Sequence, residues 1–156
     1  MTSFTYAIGI DGGATKTRAA IIDNNLSIVS EITLQKTANY HINGMGYLAD
    51  LVLEVTREVL KSTPQVEAKD IRFVSLGATG LAVDREYREV EKLVGERNFE
   101  FPFIATNDAI TALLGGTRNN FGILVISGTG SIVMGINEEG KIIRVGGWGA
   151  LLGDEG

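Results

Sequence analysis

The order of strand and helix patterns along the chain is the feature that most restricts its fold. Three consecutive strand patterns come first, and helix patterns then alternate with further strand patterns. The strand patterns cover residues 4–11, 17–22, 27–34, 71–76 and 101–105, and the helix patterns cover residues 44–61, 84–94 and a short segment that opens at Asn107 or Asp108. Consecutive strands favour an antiparallel meander, whereas strands separated by helices favour parallel pairing. The sequence therefore predicts an α/β protein with a mixed sheet, and Asp84 is expected to cap the second helix.

A second copy of the opening pattern begins near residue 121. Strand patterns at 121–127, 131–137 and 141–145 again suit an antiparallel meander, and small residues again occupy the first turn. We interpret this as an internal duplication of a ribonuclease-H-like domain. The predicted domains are residues 1–118 and residues 119–156, the second holding only its first three strands. Because no helix pattern follows them, we expect an apolar face of this meander to be uncovered.

Charge and composition exclude several classes of partner. The 156 residues carry a formal net charge of −5 and a pI near 4.9, which disfavours binding to nucleic acid or to an anionic membrane surface. No apolar run approaches the roughly 20 residues that span a bilayer. The sequence has no cysteine, so disulfides and cysteine-ligated clusters are excluded within it. With no secretory signal pattern at residue 1, the expected location is the cytoplasm.

The turn after the first strand is a candidate phosphate site. Gly12 and Gly13 lack side chains, so the backbone N–H groups of such a turn can surround anionic oxygens. Thr15 adds a hydroxyl donor, Lys16 adds a positive charge, and Asp11 at the strand end could hold Mg²⁺ directly or through water. A plain hairpin with a capping aspartate, which binds no phosphate, could have the same sequence.

The turn after the sixth strand pattern has similar chemistry. Gly128, Thr129 and Gly130 lie between two serines, and this group can also surround a phosphate. Each copy of the duplicated pattern thus carries one such turn. The presence of both turns predicts, more strongly than either turn alone, that the protein binds a nucleotide by its phosphates between two lobes.

Asp108 lies where an apolar strand pattern ends, at the edge of the sheet where α/β proteins bind ligands. Phosphoryl transfer to a hydroxyl requires an oxygen that takes or orients the proton of the nucleophile, while Mg²⁺ neutralises the phosphates. Asp108 suits the role of base and could also face the metal ion. An N-cap of the following helix is the alternative role, and separate oxygens could serve both.

These motifs together resemble the N-acetylglucosamine kinase family among the BadF/BadG/BcrA/BcrD-type ATPases, in the actin–hexokinase superfamily. The segments that carry the resemblance are Ile10–Thr17, Ala38–His41, Thr106–Ala109, Ser127–Ser131, Gly146–Gly149 and Gly153–Gly156. The resemblance implies an actin-like ATPase fold and two lobes that close on ATP and Mg²⁺. It also implies transfer of the γ-phosphoryl group to the 6-hydroxyl of an amino sugar.

The resemblance also assigns roles to residues. It makes Asp108 the catalytic base, Asn39 and Asp154 sugar ligands, and Gly147 and Trp148 parts of the wall around the acetamido group. Phosphate contacts fall to three residues of the two turns, Gly13, Thr15 and Thr129. The lone His41 is expected to support the loop that carries Asn39.

Alternatives remain at this point. In the family that the chain resembles, the adenosine-binding segment lies beyond residue 156, so the isolated chain is expected to have weak activity or none. Self-association, including a homodimer, could follow from the uncovered meander. An ATPase activator of acyl-CoA dehydratases or reductases is disfavoured because its bridging cluster needs cysteine. A glucokinase or a non-catalytic sugar sensor would preserve the same fold.

Overall fold

The computed structural model describes residues 5–117, 119, 121–127 and 131–147. The chain divides into two compact units, Met1–Asp108 and Ala109–Gly156. The elements of the first unit are strands β1 (Tyr6–Gly12), β2 (Thr17–Ile22), β3 (Ile28–Leu34), β4 (Ile71–Ala78) and β5 (Phe103–Asn107), and helices α1 (Tyr40–Asn43), α2 (Met45–Lys61) and α3 (Asp84–Gly95). A single 3₁₀ turn, Ala68–Asp70, precedes β4.

The five strands of this unit form one mixed sheet in the order β3-β2-β1-β4-β5. β1, β2 and β3 pair antiparallel as a meander, whereas β1, β4 and β5 pair in parallel. The predicted combination of a meander with parallel strands is therefore confirmed. No described helix is both long and apolar enough to cross a membrane.

Both long helices of this unit cover the sheet. α2 packs against β1, β2 and β3, and α3 packs against α2 and β5. The buried side chains of α2 recur at helical spacing, which is why the segment was predicted as a helix. They are Leu48, Ala49, Leu51, Val52, Val55, Thr56 and Val59. Gly44 precedes the helix with a φ of 86°, a conformation that a side chain would strain.

The start of α3 differs from the prediction. Asp84 is the first helical residue and Val83 is the N-cap. Since valine has no side-chain acceptor, Glu86 satisfies the terminal N–H groups, accepting hydrogen bonds from Ala82 N and Val83 N at 2.7 and 3.2 Å. A capping glutamate three residues inside the helix therefore replaces the expected capping aspartate.

The second unit contains most of α4 (Asp108–Thr117) and a three-stranded antiparallel sheet of β6 (Gly122–Ser127), β7 (Ser131–Ile136) and β8 (Ile142–Gly146). One face of this sheet packs on α4 in a buried cluster. That cluster consists of Ala109, Ile110, Leu113, Met134 and Ile136. The helix that precedes the meander thus covers one face, although no helix pattern follows it.

The other face of this sheet is exposed. Val125 pairs with Val133 and Val133 pairs with Val145, so the three side chains lie in one row. Ile123 and Val125 are 74% and 65% exposed. The expected uncovered apolar face is therefore present among the described residues.

Candidate functional site

The three parallel strands of the first unit end together at one edge of their sheet. In register, Gly12 of β1 lies beside Ala78 of β4, which lies beside Asn107 of β5. Asp11 lies one residue before this row, and Asp108 follows Asn107 directly. Both carboxylate-bearing residues therefore lie at the same sheet edge, two strands apart. Adjacent strands lie about 4.8 Å apart.

The turn between β1 and β2 is closed by its own backbone. Gly13 N donates to Lys16 O at 2.9 Å, so this N–H is already used inside the turn. The backbone N–H groups of Ala14 and Thr15 have no acceptor within the described part of the chain. Ala14, Thr15 and Lys16 are all exposed. An anion at this turn would therefore meet the N–H groups of Ala14 and Thr15, not that of Gly13.

Gly12 is required by close packing. A Cβ atom added there would lie 2.6 Å from Ala38 Cβ and 3.3 Å from Gly77 O. Two carbonyls of the turn also hold its neighbours, since Gly12 O accepts from Thr79 N at 2.8 Å and Gly13 O accepts from Ala38 N at 2.9 Å. The turn is thereby bound to the loop before α1 and to the loop after β4.

Asn39 caps the short helix α1, which the sequence did not predict. Its Oδ1 accepts from His41 N at 3.1 Å, and its backbone N donates to Thr37 Oγ1 at 3.0 Å. His41 thus supports Asn39 through its backbone N–H. Gly80 has a φ of 88°, and a Cβ atom there would lie 3.1 Å from Asn39 Oδ1. The loop after β4 therefore packs closely against the Asn39 side chain.

The residue before Asp108 anchors the end of β5. Asn107 is buried, and its Nδ2 donates to Leu81 O in the loop after β4. Two residues earlier in the strand, Ala105 N donates to Glu91 Oε1 of α3 at 2.9 Å. Asp108 itself is half-buried and begins α4. Sequence reasoning considered Asn107 only as a helix start, although an amide at a strand end is a signal for such an anchor.

The carboxylates of the site suit one mode of metal binding. No group of three or more His, Asp or Glu side chains within the described ranges could hold a metal ion. Mg²⁺, however, is commonly held by one or two carboxylates together with water and substrate phosphates. Asp11 and Asp108 fit that sparse mode and not an all-protein cage.

The second unit contributes Gly147 to the described residues. Gly147 has a φ of 70°, and its N donates to Ser131 O at 2.8 Å. Arg144 donates from Nη2 to Gly147 O and from Nε to Gly146 O. Gly147 is thus held beside the first residue of β7, immediately after the second candidate phosphate turn. The other predicted residues there, Gly128, Thr129, Gly130, Trp148 and Asp154, lie outside the described residues.

Two curated relatives resemble nearly the whole of the chain. An N-acetylmuramic acid/N-acetylglucosamine kinase of Clostridium acetobutylicum is 33% identical over 151 residues, which is 97% of this chain and 49% of the relative. An N-acetyl-D-glucosamine kinase of Dictyostelium discoideum is 36% identical over 162 residues, which is 96% of this chain and 49% of the relative. The chain thus spans about half the length of the curated relatives it matches.

Solved structures show the same fold. A Chromobacterium violaceum protein, provisionally described as an N-acetylglucosamine kinase, is 26% identical with a TM-score of 0.71 over 97% of this chain and 52% of its own. A ROK family glucokinase of Streptomyces griseus, solved with glucose and AMPPNP, is 21% identical with a TM-score of 0.65 over 90% of this chain and 46% of its own. The model of the BadF/BadG/BcrA/BcrD ATPase family matches residues 8–156. The chain therefore belongs to the BadF/BadG/BcrA/BcrD ATPase family.

Proposed function

We propose that this chain provides the sugar and phosphate sites of an ATP-dependent kinase that phosphorylates N-acetylglucosamine or a close amino-sugar relative at its 6-hydroxyl. The observation that carries the proposal is the common edge of β1, β4 and β5. That edge holds the phosphate turn at Gly12, the Asn39 loop tied to it through Ala38, and Asp108. The names of the two curated relatives support the choice of an amino sugar.

Each part of the edge has a separate task in this reaction. The N–H groups of Ala14 and Thr15 receive phosphate oxygens of ATP, and the exposed Lys16 adds a positive charge beside them. Asp108 accepts or orients the proton of the sugar hydroxyl as it attacks the γ-phosphorus. When bound, Mg²⁺ neutralises the charge of the phosphates, and Asp11 and Asp108 are the residues that would hold it.

The sugar would bind Asn39 through the side-chain amide nitrogen of that residue, because Asn39 Oδ1 already accepts a hydrogen bond from His41 N. Gly147, Trp148 and Asp154 are proposed for the acetamido side of the pocket, and Gly128, Thr129 and Gly130 for a second phosphate contact. These assignments rest on the resemblance of their segments to the kinase family. A site that hydrogen-bonds the 2-acetamido group would discriminate against glucose, because its polar groups would be left unpaired.

Two further features belong to the proposal. The proposed location is the cytoplasm, because the proposed reaction consumes ATP. The exposed face of the β6–β8 sheet promotes self-association, including a homodimer, when nothing else covers it. Because the chain spans half the length of its curated relatives, we expect turnover by this chain alone to be weak or absent.

Sugar binding is the first test. In isothermal titration of this chain, N-acetylglucosamine should bind saturably and glucose clearly more weakly. Asp108→Asn should leave sugar affinity nearly intact, because an amide oxygen still accepts a hydrogen bond from the sugar. In the complete enzyme the same variant should lower kcat by a factor on the order of 10² to 10⁴, as expected for loss of a general base. Equal binding of both sugars, or unchanged kcat in Asp108→Asn, would contradict the proposal.

The matched variant at the other strand end is Asp11→Asn. It should weaken Mg-ATP binding while sugar affinity stays unchanged, because the predicted role of Asp11 is on the metal side. Glu89→Gln, an exposed carboxylate on α3, serves as the neutral control for both variants. If Asp11→Asn and Asp108→Asn had identical effects on both ligands, the division of tasks between the two strand ends would be wrong.

A further inference from the structure

The loop between β4 and α3, residues 79–83, touches every part of the proposed site in the first unit. Thr79 N donates to Gly12 O of the phosphate turn at 2.8 Å. Gly80 packs against the Asn39 side chain and the His41 ring, since a Cβ atom there would lie 3.1 Å from each. Leu81 O accepts from Asn107 Nδ2, immediately before Asp108. The loop therefore contacts the turn after β1, the Asn39 side chain and the residue before Asp108.

Glu86 holds this loop from within α3. Its Oε2 accepts from Ala82 N at 2.7 Å and from Val83 N at 3.2 Å. Its Oε1 accepts from Tyr40 Oη at 2.6 Å, across 46 positions of the sequence. One carboxylate thus joins the β4–α3 loop to α1, the helix that Asn39 caps.

Tyr40 links Glu86 to Asn39, the proposed sugar ligand. It follows Asn39 directly, and its ring lies 4.0 Å from the His41 ring, centroid to centroid. Burial and the hydrogen bond to Glu86 raise the pKa of Tyr40 to about 12. Burial acts to raise the pKa of Glu86, but the hydrogen bonds from Tyr40, Ala82 and Val83 outweigh it and leave that pKa below its usual value. Near neutral pH the pair is therefore a charge-assisted hydrogen bond between a phenol and a carboxylate.

We propose that Glu86 and Tyr40 form a positioning pair that holds Asn39 against the β4–α3 loop in the geometry that binds the sugar. The inference rests on the proposed function and adds two residues to it. Neither residue is assigned a contact with a reacting atom, so neither is a catalytic residue. Their effect passes through Asn39, whose Oδ1 is held by the backbone of His41 and packed by Gly80.

The physical reason is the short length of α1. Four residues make a single turn of helix, which is not stable by itself in water. Its order must therefore come from contacts at its ends, and the Tyr40–Glu86 bond is the described side-chain bond that joins it to α3. Without that bond α1 would sample other arrangements, and the sugar would have to bind the ordered fraction alone.

Two variants change the bond from either side. Tyr40→Phe deletes the hydroxyl, and with it the bond, and keeps the ring that stacks on His41. Glu86→Gln keeps the shape of the side chain and an oxygen acceptor but removes the charge, so it weakens the bond. Tyr47→Phe on α2 and Glu100→Gln, at an exposed carboxylate before β5, are the matched controls, since neither side chain belongs to the proposed pair or to the site. Amide hydrogen exchange of residues 39–43 is measured together with sugar and ATP affinities.

Glu86→Gln should speed exchange at residues 39–43 less than Tyr40→Phe does, because its amide oxygen still accepts a hydrogen bond. Tyr40→Phe should speed this exchange by about tenfold, the usual effect of losing one hydrogen bond to a charged group. N-acetylglucosamine affinity should fall by a similar factor, while ATP affinity stays within about twofold of wild type because the phosphate turn keeps its own bonds. Exchange in α2 and β1 should not change. A variant that weakened both ligands equally would indicate a general structural role and overturn the proposal.

The exchange measurement separates this inference from the proposed function. If the wild-type chain bound no N-acetylglucosamine, the proposed function would fail, whereas faster exchange at residues 39–43 would still show that the pair orders α1. If exchange stayed at the wild-type rate in both variants, the positioning pair would be wrong whatever the sugar affinity.

Discussion

At two glycines of β1, the space around the residue decides whether a side chain could be accommodated. Gly12 and Gly9 lie three positions apart in the same strand region, and neither has a positive φ. A Cβ atom at Gly12 would collide with Ala38 at 2.6 Å, whereas a Cβ atom at Gly9 would meet nothing within 4 Å. The turn between β1 and β2, the proposed phosphate site, therefore depends on Gly12 for close packing and not on Gly9.

Gly12→Ala should lower the free energy of unfolding by about 1–3 kcal/mol, the usual range for adding a methyl group to a closely packed position. Gly9→Ala should change it by about 0.5 kcal/mol or less, or stabilise the strand slightly, because alanine orders more readily than glycine. Urea unfolding of both variants measures the difference. An equal loss of stability in the two would mean that the contact with Ala38 does not limit the turn.

At the scale of elements, α2 and the segment that follows it contain two buried threonines in contrasting environments. Thr63, just after the helix, is fully buried and donates from Oγ1 to Val59 O at 2.9 Å. Thr56, at 2% exposure, has a hydroxyl without a partner among the described residues. Burying a hydroxyl without a hydrogen bond costs free energy, so α2 has a local defect at Thr56.

Thr56→Val should raise the free energy of unfolding by about 1 kcal/mol, because it replaces the unpaired hydroxyl with a methyl group of similar size. Thr63→Val should lower it by a similar amount, since the bond to Val59 O is lost. Thermal and urea unfolding of the pair give the sign of each change. Destabilisation by Thr56→Val would indicate that an ordered water or a ligand satisfies this hydroxyl.

The elements also show what local pattern can predict. β2 was predicted at its observed bounds and α2 within one residue, because each has a regular apolar period that buries one face. The four-residue α1 was missed, since its contacts are the Asn39 cap and the hydrogen bond from Tyr40 to the distant Glu86, and it is too short to show an apolar period. The N-cap of α3 was predicted at the wrong residue for a related reason. The side chain that accepts the hydrogen bonds at the start of this helix is Glu86, which lies inside the helix.

At the scale of the whole molecule, the two units differ in the size of their cores. The buried cluster of the first unit draws on four of its strands and both long helices, whereas the described cluster of the second draws on α4 and β7. Since apolar burial contributes most of the stability of a fold, the second unit should open more readily.

Hydrogen exchange read by mass spectrometry should therefore show faster exchange in β6, β7 and β8 than in β1 and α2. The difference should persist at protein concentrations low enough to prevent self-association, so that covering of the exposed sheet face does not mask it. Equal protection of the two sets of strands would mean that the units unfold together as one cooperative body.

The sequence alone determined the order of the strands and long helices, the mixed sheet, the glycine turn at Gly12 and the position of Asp108 at a strand end. These are local properties, since apolar period and turn chemistry are read within a few residues of each position. Only the tertiary structure decided that Ala14 and Thr15 keep the open N–H groups of the turn, that Gly12 is packed by Ala38, and that Glu86 joins Tyr40 to the β4–α3 loop. Such contacts join residues far apart in the chain, and no local pattern specifies which donor meets which acceptor across that distance.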